Sequence, residues 1–443
     1  MTPASPPAGP APVPGNAAPR HARPSRWAGR LRAAALAGLA VVCLGAGSVG
    51  AAALADRADE PVATPSPDAV AVTPPPSPTP IPTPTCTPAP LEQRAAATLV
   101  VGLPGVRTAT DPLAQEVVGL GVGGVFLSES NVRTSTQVAA LSAGLRAAAG
   151  RPLLVSTDEE SGRVALMRDV VGAGPSPRRM AQRDTPEAVR ERAAVTGAAL
   201  AGVGVDLDLA PVLDLDDGPA GGVIGDRSFS ADPGTAADYG LAYAAGLADA
   251  GVTPTMKHFP GHGRSTVDSH ARSSLVTAGV DELAATDLLP FQRAIDAGAP
   301  VIMLNHLQYA ALDPDRPASL SPSAYALLRD MGFEGVAITD SVGMGAVNLR
   351  WDFPAAAVEA VGAGADAVLT TDGRHAVRMR DALVEAVRTG RLPEERVSEA
   401  AARVTALAGG DPVAMSCLDV TMPALALPGA VPTPTSTPVP TPR

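Results

Sequence analysis

The sequence predicts an α/β protein with a (β/α)8 barrel of TIM type, a single catalytic domain with disordered Pro-rich ends. Residues 91–418 alternate short apolar runs with helical stretches rich in Ala, Leu and Arg. Eight such runs occur within about 330 residues, as a barrel requires. Polar or ionisable residues follow five of the eight runs, although the runs themselves are almost wholly apolar. A doubly wound sheet is the alternative.

The predicted strands are the short runs rich in Val, Ile, Leu and Thr. They are Thr98–Gly102, Val122–Leu127, Pro152–Thr157, Val205–Leu209, Thr253–Met256, Val301–Leu304, Gly335–Thr339 and Ala365–Thr370. Two of the intervening helices have clear boundary signals. Pro186–Leu200 starts with Thr185 as N-cap and a proline at N1. Asp281–Ala297 has apolar residues at helical spacing and ends at Gly298.

Two motifs resemble cofactor sites, but we interpret both otherwise, and we expect neither a metal nor an organic cofactor. The stretch 119–124 fits G-x-G-x-x-G, yet it precedes a strand instead of opening a helix. It is therefore interpreted as a tight helix-to-strand turn. His258 and His262 have the i,i+4 spacing of helical zinc ligands, but Pro260 and Gly261 argue against a helix there.

The ends of the chain differ in composition from its centre. Residues 1–32 form a basic, Pro-rich segment, and residues 33–55 are almost wholly Ala, Gly, Leu and Val. The apolar segment is predicted to be either a cleaved signal peptide or a membrane anchor. Residues 56–90 are a Pro/Thr-rich linker, and residues 419–443 are a similar C-terminal tail. We therefore expect residues 91–418 to lie outside the cytoplasm, secreted or anchored to the membrane in the cell-wall zone.

Two cysteines, Cys86 and Cys417, lie outside the apolar segment. In an oxidising compartment they are a candidate disulfide that would tie both ends of the barrel domain together, with two free thiols as the alternative. The net charge of −11 argues against nucleic acid as a partner. We expect a monomer whose contact with the membrane, if residues 33–55 are retained, is made through that segment.

The stretch 256–270 holds three of the six histidines and Lys257, the only lysine of the chain. Arginine fills every other basic position, so a single lysine indicates a point-charge donor where the larger guanidinium would not fit. A polar turn whose histidines make local hydrogen bonds is the simpler alternative. The combination of Lys257, three histidines and Asp268 in so short a stretch favours a functional site.

Ionisable and amide side chains follow several predicted strands directly. They are Asp158, Lys257, His258, Asn305, His306, Asp340 and Asp372. In a barrel, the carboxyl ends of all strands meet at one mouth, where the active sites of this fold lie. The sequence therefore predicts that these side chains converge.

Two parts of a nucleophile and acid/base pair are present. A carboxylate such as Asp340, held at a barrel mouth, can attack an anomeric carbon and form a glycosyl-enzyme. His270 lies two residues from Asp268. An aspartate bonded to one imidazole nitrogen fixes the tautomer and leaves the other nitrogen for proton transfer.

The segment Lys257-His258-Phe259-Pro260-Gly261-His262-Gly263, followed by Asp268-Ser269-His270, resembles the signature of glycoside hydrolase family 3. It is most similar to the single-domain β-N-acetylhexosaminidase (N-acetylglucosaminidase) branch. The resemblance covers residues 91–410 and implies a barrel that hydrolyses with retention. It also implies Asp340 as nucleophile and His270, assisted by Asp268, as the acid/base.

The same resemblance implies a set of substrate-binding residues. Lys257 and His258 would contact sugar hydroxyls. Asp158 opens a segment similar to the family's Asp-Gln-Glu-Gly-Gly-Arg-Val and would hold the far edge of the sugar. The full set is Asp158, Arg163, Arg227, Lys257, His258 and His306.

Two positions depart from the family pattern. Leu166 stands where the family usually has an arginine, and this loss should weaken sugar binding by roughly 1–3 kcal/mol unless another donor replaces it. Ser341 stands where a carboxylate is common.

The predicted function is exo-hydrolysis of terminal β-linked N-acetylglucosamine from peptidoglycan fragments. Aromatic residues make up only 3% of the chain, which favours a short pocket over a stacking platform for long glycans. A β-glucosidase or β-xylosidase of the same family and a catalytically inactive barrel that binds cell-wall glycans are the alternatives. Phosphate in place of water as the acceptor also stays open.

Overall fold

The computed structural model describes residues 86–427. Eight parallel strands form its central sheet. They are β1 Leu99–Gly102, β2 Gly124–Phe126, β3 Leu154–Thr157, β4 Leu207–Asp208, β5 Thr253–Phe259, β6 Val301–Leu304, β7 Val336–Thr339 and β8 Val368–Thr370. Their order in the sheet is β7-β6-β5-β4-β3-β2-β1-β8. A bridge between Ile338 and Ala367 joins β7 to β8. The predicted (β/α)8 barrel is confirmed.

Helices flank the sheet. They are α1 Leu91–Ala97, α2 Pro112–Leu120, α3 Ser135–Ala149, α4 Arg168–Val171, α5 Pro177–Arg183, α6 Pro186–Gly202, α7 Pro233–Asp249, α8 Val280–Ala285, α9 Leu288–Asp296, α10 Pro322–Asp330, α11 Gly345–Asn348, α12 Phe353–Ala363, α13 Ala376–Arg388, α14 Glu394–Leu407 and α15 Pro412–Ser416. Single 3-10 turns occur at Glu129–Asn131, Gly225–Arg227, Ala318–Leu320 and Gly373–His375. Short strands at Glu159–Ser161, Val164–Ala165, Leu275–Val276, Gln308–Tyr309 and Asp313–Pro317 form two small sheets outside the barrel.

All eight predicted strands are present, and the main difference concerns β5. It was expected to stop at Met256 but continues to Phe259, so Lys257 and His258 belong to the strand itself. The following Pro260 and Gly261 end the strand, and the segment is not helical, as those residues indicate. The turn interpretation of 119–124 is also confirmed, because Gly121 ends α2 with a φ of 92°.

The prediction of one helix over Asp281–Ala297 is wrong. The segment forms α8 and α9, separated at Thr286 and Asp287. At Thr286 the backbone leaves the helical region, with φ −131° and ψ −90°. The carboxylate of Asp287 is only 3% exposed and accepts a 2.7 Å hydrogen bond from Arg264 in the loop after β5. This contact between two loops fixes the break between α8 and α9, although the apolar residues of the segment keep helical spacing.

The barrel interior is filled by apolar side chains from all but one of its strands, including Val100, Phe126, Leu154 and Met303. Met422, in the segment after α15, packs against this core. Ala426 then donates a 2.8 Å backbone hydrogen bond to Ala297. The packed chain therefore continues beyond the predicted boundary at residue 418.

A disulfide links Cys86 to Cys417, whose Cα atoms are 5.8 Å apart, and confirms the candidate pair. It joins the segment before α1 to the end of α15. Within residues 86–427, no helix is long and apolar enough to cross a bilayer. The predicted segments at residues 1–32 and 33–55 lie outside the described residues, as do most of the two Pro/Thr-rich stretches.

Candidate active site

A cavity of about 650 Å³ opens at the carboxyl ends of the strands. Eight of the nine predicted site residues line it: Asp158, Arg163, Arg227, Lys257, His258, Asp268, His270 and Asp340. They come from loops and strand ends that are far apart in sequence. Of the side chains predicted to converge at the barrel mouth, Asp158, Lys257, His258 and Asp340 line this cavity. Three others do not line it: Asn305, His306 and Asp372.

Lys257 lies at the centre of the buried charges. Its Nζ atom is 2.6 Å from Asp158 Oδ1 and 2.6 Å from Glu160 Oε1, and its side chain is 1% exposed. Burial opposes the charged form, but the two carboxylates outweigh it and raise the pKa of Lys257 above its usual value. The lysine therefore stays charged in the cavity wall.

Arg227 holds the other side of Glu160. Its Nε and Nη2 atoms donate to the two carboxylate oxygens at 2.7 and 2.6 Å. Burial would raise the pKa of Glu160, but Arg227 and Lys257 together hold that pKa below its usual value. Arg227 Nη2 also lies 3.3 Å from His258 Nε2. Lys257, Arg227, Asp158 and Glu160 thus form one ion network, called here the mouth cluster.

Sequence reasoning missed Asp214, which positions two histidines. His258 donates from Nδ1 to Asp214 Oδ2 at 2.6 Å, and the backbone N–H of His262 donates to Oδ1 at 2.7 Å. The Asp214 side chain is fully buried. No local signal in the sequence marks this role, because Asp214 is one of five aspartates in the stretch 206–217.

Asp340 follows β7 and faces the cavity. Burial would raise the pKa of Asp340, but nearby His306 and His258 and the backbone N–H of Ser341 hold it below its usual value. The Ser341 N–H donates to Oδ1 at 2.7 Å. Asp340 is therefore ionised at neutral pH, as a nucleophilic carboxylate must be.

His306 was expected to contact substrate, and its position contradicts that expectation. The ring is fully buried, with Nδ1 2.6 Å from Ser319 Oγ and Nε2 2.9 Å from the Ser341 carbonyl oxygen. Both ring nitrogens are thus used by the protein. His306 supports the backbone next to Asp340, and burial lowers the pKa of its imidazole.

The predicted dyad lies on an exposed loop after β5. His270 Nδ1 is 2.9 Å from Asp268 Oδ1, and the two side chains are 75% and 59% exposed. The backbone N–H of His270 donates to the same carboxylate, and this bond is the main reason that the pKa of Asp268 is lowered. His270 Nε2 has no hydrogen-bond partner among residues 86–427 and is available for proton transfer.

The dyad loop is held from two sides. The N–H of Gly345 donates to the His270 carbonyl oxygen at 2.9 Å, and the N–H of Ala346 donates to that of Ser269 at 3.1 Å. Ser269 Oγ also lies 3.1 Å from His262 Nε2. The dyad loop is therefore docked on the start of α11 and on His262, just after β5.

Arg163 lines the cavity, but its guanidinium is engaged elsewhere. Nε is 3.0 Å from Asp226 Oδ1, and Nη2 donates to the carbonyl oxygens of Gly222, Val223 and Ile224. Arg163 thus fixes the loop before Arg227, which forms one wall of the cavity.

Comparison with known proteins agrees with this geometry. Residues 96–407 match the profile described as glycosyl hydrolase family 3 N terminal domain. The chain belongs to glycosyl hydrolase family 3. Beta-hexosaminidase LpqI of Mycobacterium tuberculosis is 39% identical over 328 residues, which cover 72% of this chain and 83% of that relative. A beta-hexosaminidase of Stenotrophomonas maltophilia is 37% identical over 282 residues, 61% of this chain and 82% of the relative.

Solved structures of family 3 members share the barrel. That of M. tuberculosis LpqI superposes with a TM-score of 0.68 at 39% identity, covering 74% of this chain and 98% of the other. A family 3 beta-N-acetylglucosaminidase from Paenibacillus sp. superposes with a TM-score of 0.70 at 32% identity, covering 79% of this chain and 65% of the other. The family membership inferred from the signature segment is confirmed, and the protein is a glycoside hydrolase that acts on a carbohydrate substrate.

Proposed function

We propose that this family 3 hydrolase removes terminal β-linked N-acetylglucosamine from peptidoglycan fragments, with retention of configuration. One observation carries the proposal: an ionised Asp340 and an Asp268–His270 dyad with a free Nε2 line the same cavity. The names of the relatives support the choice of sugar, since those compared above are hexosaminidases or an N-acetylglucosaminidase.

The proposed reaction begins with a sugar held against the mouth cluster. Two of the three Lys257 N–H donors are used by Asp158 and Glu160, which leaves one for a hydroxyl group. Asp158 keeps 23% of its side chain exposed and can accept from another hydroxyl. His258 and Arg227 complete this side of the binding site.

In the first step, an Asp340 oxygen attacks the anomeric carbon, and a bond to the leaving oxygen breaks as a glycosyl ester forms. His270 donates its Nε2 proton to that oxygen. In the second step, the neutral imidazole takes a proton from water, which attacks the ester and releases the sugar. Asp268 keeps the other ring nitrogen protonated throughout. Two displacements at one carbon retain its configuration.

Two features support the substrate size and the compartment. A cavity of about 650 Å³ suits a short sugar segment, consistent with exo action. The Cys86–Cys417 disulfide suits an oxidising compartment, consistent with export through residues 33–55 as signal peptide or anchor. We propose that the enzyme is secreted or membrane-anchored and acts as a monomer.

The test is a side-by-side assay of the p-nitrophenyl β-glycosides of N-acetylglucosamine, glucose and xylose. We expect turnover of the first, none with Asp340→Asn, and a β-anomer as the first-formed product by NMR. A preference for the glucoside or the xyloside would show that the substrate sugar is glucose or xylose and not N-acetylglucosamine. Release of a sugar 1-phosphate in phosphate buffer would show that phosphate, and not water, is the acceptor. If the folded protein binds N-acetylglucosamine but hydrolyses none of the three substrates, it is the catalytically inactive, glycan-binding barrel.

A further inference from the structure

One histidine of the signature segment has no role in the proposed reaction. His258 contacts the sugar and His270 is the acid/base, whereas His262 lies between them in the sequence. Although it lines the active-site cavity, His262 is only 2% exposed. Its Nε2 atom lies 3.1 Å from Ser269 Oγ, and its Nδ1 atom is buried with no hydrogen-bond partner in the described part of the chain. Neither ring nitrogen is therefore free to bind a sugar.

Burial also excludes His262 as a second acid/base. It lowers the pKa of the imidazole to about 4, although the carboxylates of Asp214 and Asp340 oppose this shift. The ring is therefore neutral at neutral pH and cannot act as the proton donor that the first step needs. Any effect of His262 on the reaction must pass through another residue.

Ser269 connects His262 to the dyad. It lies between Asp268 and His270, whose side chains are 59% and 75% exposed, yet Ser269 itself is only 3% exposed. Among the described residues, its bond to His262 is the only side-chain hydrogen bond that joins the segment 268–270 to the rest of the chain. The hydroxyl group of Ser269 is thus the point at which the protein interior holds the dyad.

The backbone contacts of the dyad loop come from one side only. The N–H groups of Gly345 and Ala346, at the start of α11, donate to the carbonyl oxygens of His270 and Ser269. Two hydrogen bonds from a single short helix leave the loop free to rotate about that helix. The bond from His262, on the β5 side, removes this rotation.

His262 is itself fixed by the buried carboxylate that orients His258. Asp214 Oδ1 accepts from the backbone N–H groups of His262 and His258 at 2.7 and 3.2 Å, and Oδ2 accepts from His258 Nδ1 at 2.6 Å. The two imidazole rings meet edge to face, with centroids 5.8 Å apart. One carboxylate therefore sets the position of the sugar-binding imidazole and of the ring that holds the dyad loop.

We propose that His262 is a positioning residue, which sets the distance between His270 Nε2 and the leaving oxygen of a sugar held by His258. The inference rests on the proposed function only in taking His270 as the acid/base, and it does not depend on which sugar is bound. Misplacement by about 1 Å can lower a rate by about 10²-fold. Loss of the bond between His262 and Ser269 should therefore impair proton transfer and leave sugar binding intact.

The test compares His262→Phe, which keeps a ring but removes the hydrogen bond, with His262→Gln, whose amide can still bond to Ser269. Since Nδ1 has no partner, phenylalanine breaks no second hydrogen bond, and the melting temperature should stay near that of the wild type. In His262→Phe, kcat/KM for phenyl β-N-acetylglucosaminide should fall by about 30-fold, and by much less for the p-nitrophenyl substrate, whose leaving group needs little protonation. Inhibition by N-acetylglucosamine should be unchanged, and His262→Gln should recover most of the loss.

The matched control is His375→Phe, the same change at a ring that stacks on Phe353 outside the active-site cavity. It should leave the ratio of the two kcat/KM values unchanged. Ser269→Ala should reproduce the effect of His262→Phe, and the double variant should be no worse than either single variant. Equal losses on both substrates, no loss on either, or additive losses in the double variant would overturn the inference.

A measurement without turnover separates this inference from the proposed function. Arg272, an exposed residue just after the dyad, offers a cleavage site to trypsin. Cleavage there, followed by mass spectrometry, should be faster in His262→Phe and Ser269→Ala than in the wild type or His262→Gln, because a released loop opens more often. If no glycoside is hydrolysed but cleavage follows this pattern, the proposed function is wrong and the anchoring of the loop by His262 stands. Equal cleavage in all four proteins would overturn the inference whichever glycoside is hydrolysed.

Discussion

Two buried ion clusters lie at opposite ends of the barrel. The mouth cluster, defined above, faces the active-site cavity. The base cluster consists of Asp366, just before β8, with Arg329, Arg396 and Arg403. Asp366 is fully buried and accepts from Arg329 and Arg396 at 2.6 Å each, from Arg403 at 3.2 Å, and from the Ala337 N–H at 2.9 Å.

The two clusters differ in what they leave unused. Both Asp366 oxygens accept from protein donors, so the base cluster joins α10 and α14 to the sheet and offers nothing to a ligand. The mouth cluster keeps a Lys257 donor and part of the Asp158 carboxylate free. Burying charges is costly in both places, because desolvation opposes it. The comparison indicates that the base cluster serves stability, whereas the mouth cluster keeps polar groups that a bound sugar could use.

The largest expected effect is at the mouth. Asp340→Asn should lower kcat by about 10⁴-fold or more, since the nucleophile is lost. The melting temperature should change little, because Asp340 forms no ion pair within residues 86–427. Asp372→Asn, which removes the carboxylate after β8, is the matched control and should retain most activity. Substantial turnover by Asp340→Asn after purification would show that another group attacks the sugar.

At the base cluster we expect the reverse result, a loss of stability with unchanged kinetics. Asp366→Asn leaves three arginines without their carboxylate and should lower the free energy of unfolding by about 3–5 kcal/mol. The kcat and KM of the folded variant at low temperature should equal those of the wild type. Urea unfolding followed by circular dichroism measures the first quantity. A variant of normal stability with altered kinetics would remove the distinction between the clusters.

The same comparison shows which parts of the molecule the sequence determines locally. Eight strands, the Cys86–Cys417 pair and the Asp268–His270 dyad follow from composition, spacing and family resemblance. The pairing of Lys257 with Glu160 and the role of Asp214 depend on which loops meet in space. The exclusion of His306 from the cavity and the break between α8 and α9 also arise from tertiary contacts. No periodicity in the chain encodes these contacts.

A third prediction concerns two neighbouring glutamates. Glu160 meets Lys257 and Arg227, whereas burial raises the pKa of Glu159 to about 7, offset only partly by the Met167 N–H. The folded state therefore holds the Glu159 proton more tightly than the unfolded chain. Wild-type stability from this residue is complete below about pH 4.5 and is lost as the pH rises through about 7.

Glu159→Gln, which installs the residue of the family's Asp-Gln-Glu segment, should remove this loss. The gain in unfolding free energy relative to wild type should be small at pH 5 and reach at most about 3 kcal/mol at pH 8. Urea unfolding at both pH values measures it. Glu116→Gln, an exposed position on α2, controls for the lost negative charge. A gain independent of pH would mean that Glu159 does not titrate in this range.

The smallest effect is expected where the rigid mouth meets the exposed dyad loop. A Cβ atom at Gly345 would lie 2.4 Å from the Ala271 carbonyl oxygen and 2.8 Å from that of His270. Gly345→Ala must therefore displace the loop that carries His270. Acid catalysis matters most for poor leaving groups. The kcat/KM should therefore fall by about 10²-fold for a disaccharide substrate such as N,N′-diacetylchitobiose, and less for the p-nitrophenyl substrate.

The control for this last prediction is Gly279→Ala, whose added Cβ meets nothing within 4 Å. Its kinetics should match those of the wild type. In a His270→Ala background, Gly345→Ala should have almost no further effect, because both changes remove the same proton transfer. Additive losses in that double-mutant cycle would show that Gly345 acts on the binding of the sugar and not through the dyad. Equal losses on both substrates would point to the same conclusion, since binding at the mouth cluster precedes the chemical step for either leaving group.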